Sequence, residues 1–157
     1  MYNRTMKSSD AHGVIDQSQI ARKNDYLFRI SLKALVRNEQ GEVLVVKEVG
    51  RTWWDLPGGG MDHGESIQQA LARELREEVN LEGNFDYDII AVEEPAFLPQ
   101  PKVWQIRLIF EIKPVRFVFS PGDDGDEIRF IDSAELKNSD NNAERKVYAY
   151  AQRTSRH

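Results

Sequence analysis

Cysteine is absent from all 157 residues, which excludes a disulfide scaffold, a thiolate nucleophile and a zinc site built on sulfur. No apolar run approaches the roughly 18 residues that a membrane helix needs, so no membrane partner is expected. Cations are the minority charge, 21 Lys+Arg against 26 Asp+Glu, leaving a net charge of −5. Sequence-independent binding along a phosphate backbone depends on clustered cations, so no nucleic acid polymer is expected as a partner. A small phosphorylated substrate stays open, because a bound divalent ion reverses the local sign. The opening MYNRTMKSSD carries basic residues with no apolar stretch behind them, unlike a secretory signal. These absences together lead to the expectation of a cytoplasmic protein. Histidine is also scarce. His12, His63 and His157 stand in unrelated contexts and form no HExxH, and no Ser-His-Asp set is defensible.

What is present is a composition that can build a core, 40% hydrophobic and 30% charged, at a length of about one domain. Residues 1–24 are polar and aperiodic and read as a lead-in, followed by a single domain over 25–157. Leu27 to Val36 and Val43 to Val49 are rich in strand formers and flank the turn Asn38-Glu39-Gln40-Gly41, which predicts a hairpin. A loop from Gly50 to Gly64 carries Trp53, Trp54, Pro57 and three consecutive glycines. The clearest helix follows from Glu65 to about Val79, with Ile67, Leu71, Leu75 and Val79 as its buried stripe. Further strands are predicted over Phe85 to Val92, Val103 to Ile112 and Glu127 to Ile131, with a Pro-rich loop between the first two. A closing helix spans Asn142 to Gln152. Interleaved strands and helices predict an α/β architecture in which helices cover a mixed sheet.

On the long helix Glu74, Glu77 and Glu78 stand at i, i+3 and i+4, so their carboxylates share one face. A solvated face paired with Arg73 and Arg76 is the ordinary reading of such a cluster. Two features count against it. Like charges at i, i+4 repel, and Glu78 falls within the apolar arc, where solvation is worst. Clustered carboxylate oxygens suit a hard divalent cation such as Mg²⁺ or Mn²⁺, which relieves both costs. The glycine-rich turn entering the helix offers backbone N–H groups to phosphate oxygens. It is neither a Walker A loop nor a dinucleotide GxGxxG.

The spacing from Gly59 through Glu65 to Arg73-Glu74-Leu75-Arg76-Glu77-Glu78-Val79-Asn80-Leu81 closely resembles the Nudix box. Eight of its nine specified positions match over 23 residues, Asn80 standing where the family has Gly. Because Asn also accepts positive φ, the departure is expected to cost a little stability rather than function. The resemblance implies an α/β/α sandwich around a mixed β-sheet and a pyrophosphohydrolase that cuts a diphosphate linkage with Mg²⁺ or Mn²⁺. It makes Glu74, Glu77 and Glu78 catalytic residues and metal ligands, joined by a main-chain carbonyl of Gly58 or Gly59. Glu74, or a carboxylate outside the box, would be the base. It also makes Glu65 and Arg73 a pair that orients the loop against the helix. A further carboxylate is implied before the last strand, with Asp124 and Glu127 as candidates ahead of Asp123 and Asp126. Dimers are common in such proteins, so a homodimer is compatible.

The implied substrate is a small diphosphate compound, nucleotide-like in the leading reading: a nucleoside triphosphate or a nucleoside diphosphate derivative. Trp53, Trp54, Phe97 and Trp104 are candidates to stack on a base. Arg51, with Arg29 and Arg107, is a candidate to pair with phosphate. His63 is within reach of the box but reads more simply as a solvated loop residue. Pro95 and Pro99 narrowly miss the proline spacing of ADP-ribose hydrolases, and the tyrosine that marks some dinucleoside polyphosphate hydrolases is absent. Two rivals use the same fold. A nucleotide-sensing module without turnover usually lacks box carboxylates, and all three are present here. A prenyl diphosphate isomerase would need a cysteine, which this chain does not have.

Overall fold

A computed structural model describes residues 26–154. The polar lead-in read over residues 1–24, with His12, and the terminal His157 lie outside them. The elements in order are β1 (Phe28–Val36), β2 (Val43–Glu48), α1 (Ile67–Val79), β3 (Phe85–Val92), β4 (Ala96–Leu98), β5 (Val103–Pro114), β6 (Gly125–Ile131), a 3-10 turn (Ser133–Leu136) and α2 (Asn142–Ala151). The expected strands and helices are all present. β4 is additional, a three-residue edge strand inside the Pro-rich loop that pairs antiparallel with β5.

The strands form two sheets. In the first, β5 lies between β1, to which it is parallel, and β3, to which it is antiparallel. In the second, β2 pairs antiparallel with β6. Alternation along β1 sends Leu32, Ala34 and Val36 into one hydrophobic cluster with Ala70, Leu71, Leu75 and Val79 of α1. Leu35 points the other way, into a second cluster with Ile109, Val43, Val45 and the α2 residues Val147, Tyr150 and Ala151. Helices thus cover both faces of a mixed sheet, the α/β arrangement expected from the sequence.

The expected β1–β2 hairpin is corrected. Its turn forms, with the Gly41 N–H donating to Asn38 O (3.0 Å) and the Asn38 N–H to Glu42 O (3.0 Å). The strands themselves share only an isolated bridge at Arg37 and Val43. The reason is competition for backbone groups. Segment 55–61 runs between the two strands and takes the partners that a ladder would have used. Leu32 and Ala34 N–H donate to Gly59 O (2.9 Å) and Pro57 O (2.8 Å), and Met61 N–H donates to Ile30 O (2.8 Å). On the other side Val46 and Asp55 exchange both bonds, at 2.9 and 3.0 Å. The glycine loop is therefore stitched into the core rather than hung from it.

Candidate active site

α1 begins at Ser66, whose hydroxyl accepts from the Gln69 N–H while the Gln69 side chain accepts from the Ser66 N–H, a reciprocal capping box. It ends at Asn80, in the left-handed region at φ 52°. The Asn80 amide donates to Ser120 Oγ (3.0 Å) and Pro121 O (2.8 Å). Beyond it, the Ser120, Gly122 and Asp124 N–H groups donate to Val79, Glu78 and Glu77 carbonyls at 2.9–3.1 Å. The acidic turn thus closes the end of the helix with its backbone, satisfying carbonyls that would otherwise be orphaned. A Cβ on Gly122 or Gly125 would stand 2.1 Å from a carbonyl oxygen of this last turn. No side chain fits there.

Of the three glutamates, Glu78 is 3% exposed and Glu74 9%. Glu77 is more open. The Gly58 N–H donates to Glu78 Oε2 at 2.9 Å. Gly58 has φ +131°, and a Cβ there would lie 2.0 Å from Leu32 O, so only glycine can present this N–H. Gly59 is similarly constrained, since a Cβ would stand 2.8 Å from both Glu74 carboxylate oxygens. Arg73 ties the loop to the helix. It reaches both Glu65 oxygens (Nε 2.6 Å, Nη2 3.0 Å), Gly60 O (2.9 Å), Glu74 Oε1 (2.8 Å) and, more loosely, Glu77 Oε2 (3.4 Å).

The ionisation of these groups follows their surroundings. The Arg73 hydrogen bonds hold Glu65 down at about 2, and Glu65 in turn raises Arg73 further above its usual range. Burial pushes Glu78 up to about 8, against the opposing charge of Lys33 and the Gly58 N–H. Burial also raises Glu74, against Arg73.

Lys33 was not singled out in the sequence. It is 3% exposed. Its ammonium donates to Leu56 O (3.1 Å) and Gly58 O (2.9 Å) and pairs with Asp55 (3.3 Å) and Glu48 (3.7 Å). A lysine on a strand rich in apolar residues was the available signal: an inward position that buries a charge must also supply its partners.

The glutamates form one side of a cleft of about 740 Å³ that also takes in the glycine loop, Asp124, Glu48 and Arg51. Arg29, Ser31, Gln105 and Arg107, neighbours on β1 and β5, line it as well. Glu127 is not in the cleft. It pairs with Lys47 at the surface (3.5 Å). None of the aromatic candidates lines this cleft. Trp54 is 8% exposed in the second core cluster, with Lys47 and Arg129 over its ring at 4.4 and 5.1 Å. Trp53 lies beside Arg51. Phe97 and Trp104 pack on each other at 5.6 Å. They occupy strand positions of opposite parity to Leu98, Gln105 and Arg107, which do line the cleft, so they look out from the other face of the sheet.

Among the described residues, no three carboxylate or histidine side chains are gathered into a ready ligand cage. The donor set still fits a hard cation. Two desolvated carboxylates with raised proton affinity beside a third, more exposed one are oxygen donors short of positive charge.

Residues 27–151 match the family model of the NUDIX domain. Among similar curated proteins, the RNA pyrophosphohydrolase of Acinetobacter baylyi is 46% identical over 54 residues, 34% of this chain and 32% of that protein. The RNA pyrophosphohydrolase of Psychrobacter cryohalolentis is 40% identical over 67 residues, 43% and 38% of the two chains. The match thus spans about a third of the length of these relatives. Among solved structures, the MutT NUDIX hydrolase from Burkholderia pseudomallei superposes with a TM-score of 0.63 at 17% identity, covering 79% of this chain and 98% of that one. The NUDIX hydrolase from Nitrosomonas europaea gives 0.62 at 17% identity, with 79% and 88% covered. These two likenesses carry the fold, and the family model carries the lineage: this chain belongs to the Nudix family.

Proposed function

We propose that this chain is a metal-dependent pyrophosphohydrolase that cleaves a phosphoanhydride bond in a nucleoside triphosphate or nucleoside diphosphate derivative by attack of water on phosphorus. The observation that carries the reading is the placement of Glu74 and Glu78, buried carboxylates at the side of an open cleft, oriented by the glycine loop. Glu74, Glu77 and Glu78 are the residues to hold Mg²⁺ or Mn²⁺. The Gly58 and Gly59 carbonyls already accept one bond each and retain a second lone pair. A divalent ion held there lowers the pKa of water and offsets the charge on the phosphate oxygens.

The remaining work falls to the chain itself. Gly58 fixes one oxygen of Glu78, a residue that lines the cleft. Arg73 restrains Glu74 and Glu77 and, through Glu65, holds the loop over the start of α1. Lys33 supplies a fixed positive charge behind the carboxylates and anchors the loop from beneath. Glu74, or Asp124 in the turn bonded to the end of α1, would take the proton from the attacking water.

The name of the curated relatives, RNA pyrophosphohydrolase, adds an RNA 5′ end to the candidate substrates. The test is a panel of nucleoside tri- and diphosphates, diphosphate conjugates and 5′-phosphorylated oligoribonucleotides, assayed with Mg²⁺ or Mn²⁺ and with chelator. Metal-dependent release of phosphate or pyrophosphate, abolished in Glu77→Gln and Glu78→Gln, is the expected result. Tight binding with no turnover of any member would instead make the chain a nucleotide sensor.

A further inference from the structure

Four cations line the cleft: Lys33, Arg51, Arg29 and Arg107. They differ in what they already hold. Lys33 is fully engaged by two carbonyls and two carboxylates. Arg51 donates to Glu48 at 2.9 Å. Among the described residues the Arg29 side chain has no hydrogen bond or ion pair, and the residue is exposed. Arg107 has one loose contact, Nη1 to Glu93 Oε1 at 3.7 Å, while its buried Nε has no acceptor. Glu93 is meanwhile claimed through its other oxygen by Lys146 at 3.1 Å. Two guanidinium groups thus face one cavity with their charge largely unanswered.

Their placement is fixed by sheet register. β1 and β5 are parallel, with Arg29 opposite Gln105 and Ser31 opposite Arg107. These four side chains make a compact polar block on one face of two neighbouring strands, about 5 Å apart. The same face of β1 continues from Arg29 and Ser31 to Lys33, which touches the glycine loop. Lys33 stands four steps along the strand from Arg29, roughly 13 Å between Cα atoms. The cleft therefore holds both an acidic group of side chains, where an ion and the scissile linkage belong, and a basic group on β1 and β5. It offers no ring for stacking, because none of its lining residues is aromatic.

We infer that Arg29 and Arg107 form a second anion subsite, which reads a phosphate or equivalent anionic group beyond the diphosphate being cleaved, so that the substrate is selected by the length and charge of its phosphate chain rather than by its base. Guanidinium forks suit this task, since each can bind phosphate oxygens through paired N–H groups. Ser31 and Gln105 supply the neutral donors between them. This inference rests on the hydrolase reading for its placement of the scissile bond, but the binding of a polyanion to the basic group is measurable without turnover.

The test has two arms. In the first, calorimetry at fixed ionic strength compares inorganic tripolyphosphate with pyrophosphate on the whole chain in Mg²⁺. Tripolyphosphate should bind at least about tenfold more tightly, and Arg29→Gln and Arg107→Gln should each erase most of that preference. Arg29→Lys, which keeps the charge but loses the fork, should keep part of it. In the second arm, kcat/KM is compared for a nucleoside triphosphate, the matching diphosphate and a 5′-triphosphorylated oligoribonucleotide. The triphosphate-to-diphosphate ratio should collapse in the two Gln variants, through KM more than kcat. The four common bases should differ by less than about threefold, given that no ring in the cleft stacks on them. The free nucleotide and the RNA end share the triphosphate, and the relative kcat/KM tells which source is preferred. Equal affinity for the two inorganic anions, or a ratio unchanged in Arg29→Gln and Arg107→Gln variants that melt like wild type, would overturn the subsite. Selective tripolyphosphate binding without hydrolysis of any panel member would overturn the hydrolase reading and leave the subsite standing.

Discussion

Gly58 and Glu78 define each other's position. The glycine lies at a φ closed to other residues and donates its N–H to a carboxylate that is almost out of solvent. Burial keeps a proton on Glu78 up to about pH 8, whereas the unfolded chain releases it near 4.5. Between those values the folded protein binds more protons than the unfolded one, so stability falls as pH rises. Across the whole window the loss is of order 5 kcal/mol. In chelator, the denaturation midpoint of the wild type should therefore drop from pH 5 to pH 8, while Glu78→Gln should hold a flatter profile and be the more stable of the two at pH 8. Parallel profiles would refute this. Glu65 carries the opposite sign. Held down at about 2 by Arg73, its contribution is present above 4.5 and disappears as pH falls toward 2. Gly58→Ala should cost several kcal/mol, since its Cβ meets the Leu32 carbonyl and the backbone cannot turn aside. Denaturation of the purified variant measures it.

α1 is an element whose two ends are built by different means. Its N-terminus is local, a capping box four residues long, and Ser66→Ala should cost about 1 kcal/mol in chemical denaturation. Its C-terminus is non-local. Asn80 tolerates the left-handed conformation, and its amide fastens the 120–121 segment, whose neighbours then cap the helix. Asn80→Ala should lose both the conformational tolerance and the two hydrogen bonds, about 2 kcal/mol in all. Asn80→Gly should recover much of this, because glycine regains the backbone freedom without the amide. If the Gly and Ala variants unfold at the same denaturant concentration, the left-handed strain is not what Asn80 is there to relieve. This contrast also shows what the sequence could say. Leu71, Leu75 and Val79 revealed the helix because a 3.6-residue period is written along the chain itself. The acidic turn could be read only as side chains, when its backbone N–H groups do the capping. The β1–β2 pairing failed for the same reason: the segment that separates the two strands arrives from residues 55–61, and neither strand carries a mark of it. Phe97 and Trp104 fall outside the cleft by strand parity, which only the β4–β5 register could supply.

At the scale of the whole molecule, the carboxylate side of the cleft is the place where independent parts meet. α1 brings the glutamates, segment 55–61 links the two sheets and brings Gly58, and the turn before β6 brings Asp124. An ion held by these parts would bind the folded chain and have no assembled site in the unfolded one. Its affinity then appears as stability, RT ln(1 + [L]/Kd), or about 2.7 kcal/mol at a hundred times Kd. For a chain of this size that corresponds to a rise in Tm of roughly 5–10 °C. Mg²⁺ or Mn²⁺ should therefore raise Tm in a saturable way, chelator should reverse the shift, and Na⁺ at matched ionic strength should not reproduce it. Glu77→Gln and Glu78→Gln should lose most of the increment. Glu78→Gln is the informative case, because the buried charge that weakens the empty fold at alkaline pH is the same charge that attracts the ion. That variant should start from a higher Tm in chelator at pH 8 and end below wild type in saturating metal. A crossing of the two curves requires one carboxylate to serve both as the liability and as the ligand; metal shifts of equal size in wild type and variant would place the ion elsewhere.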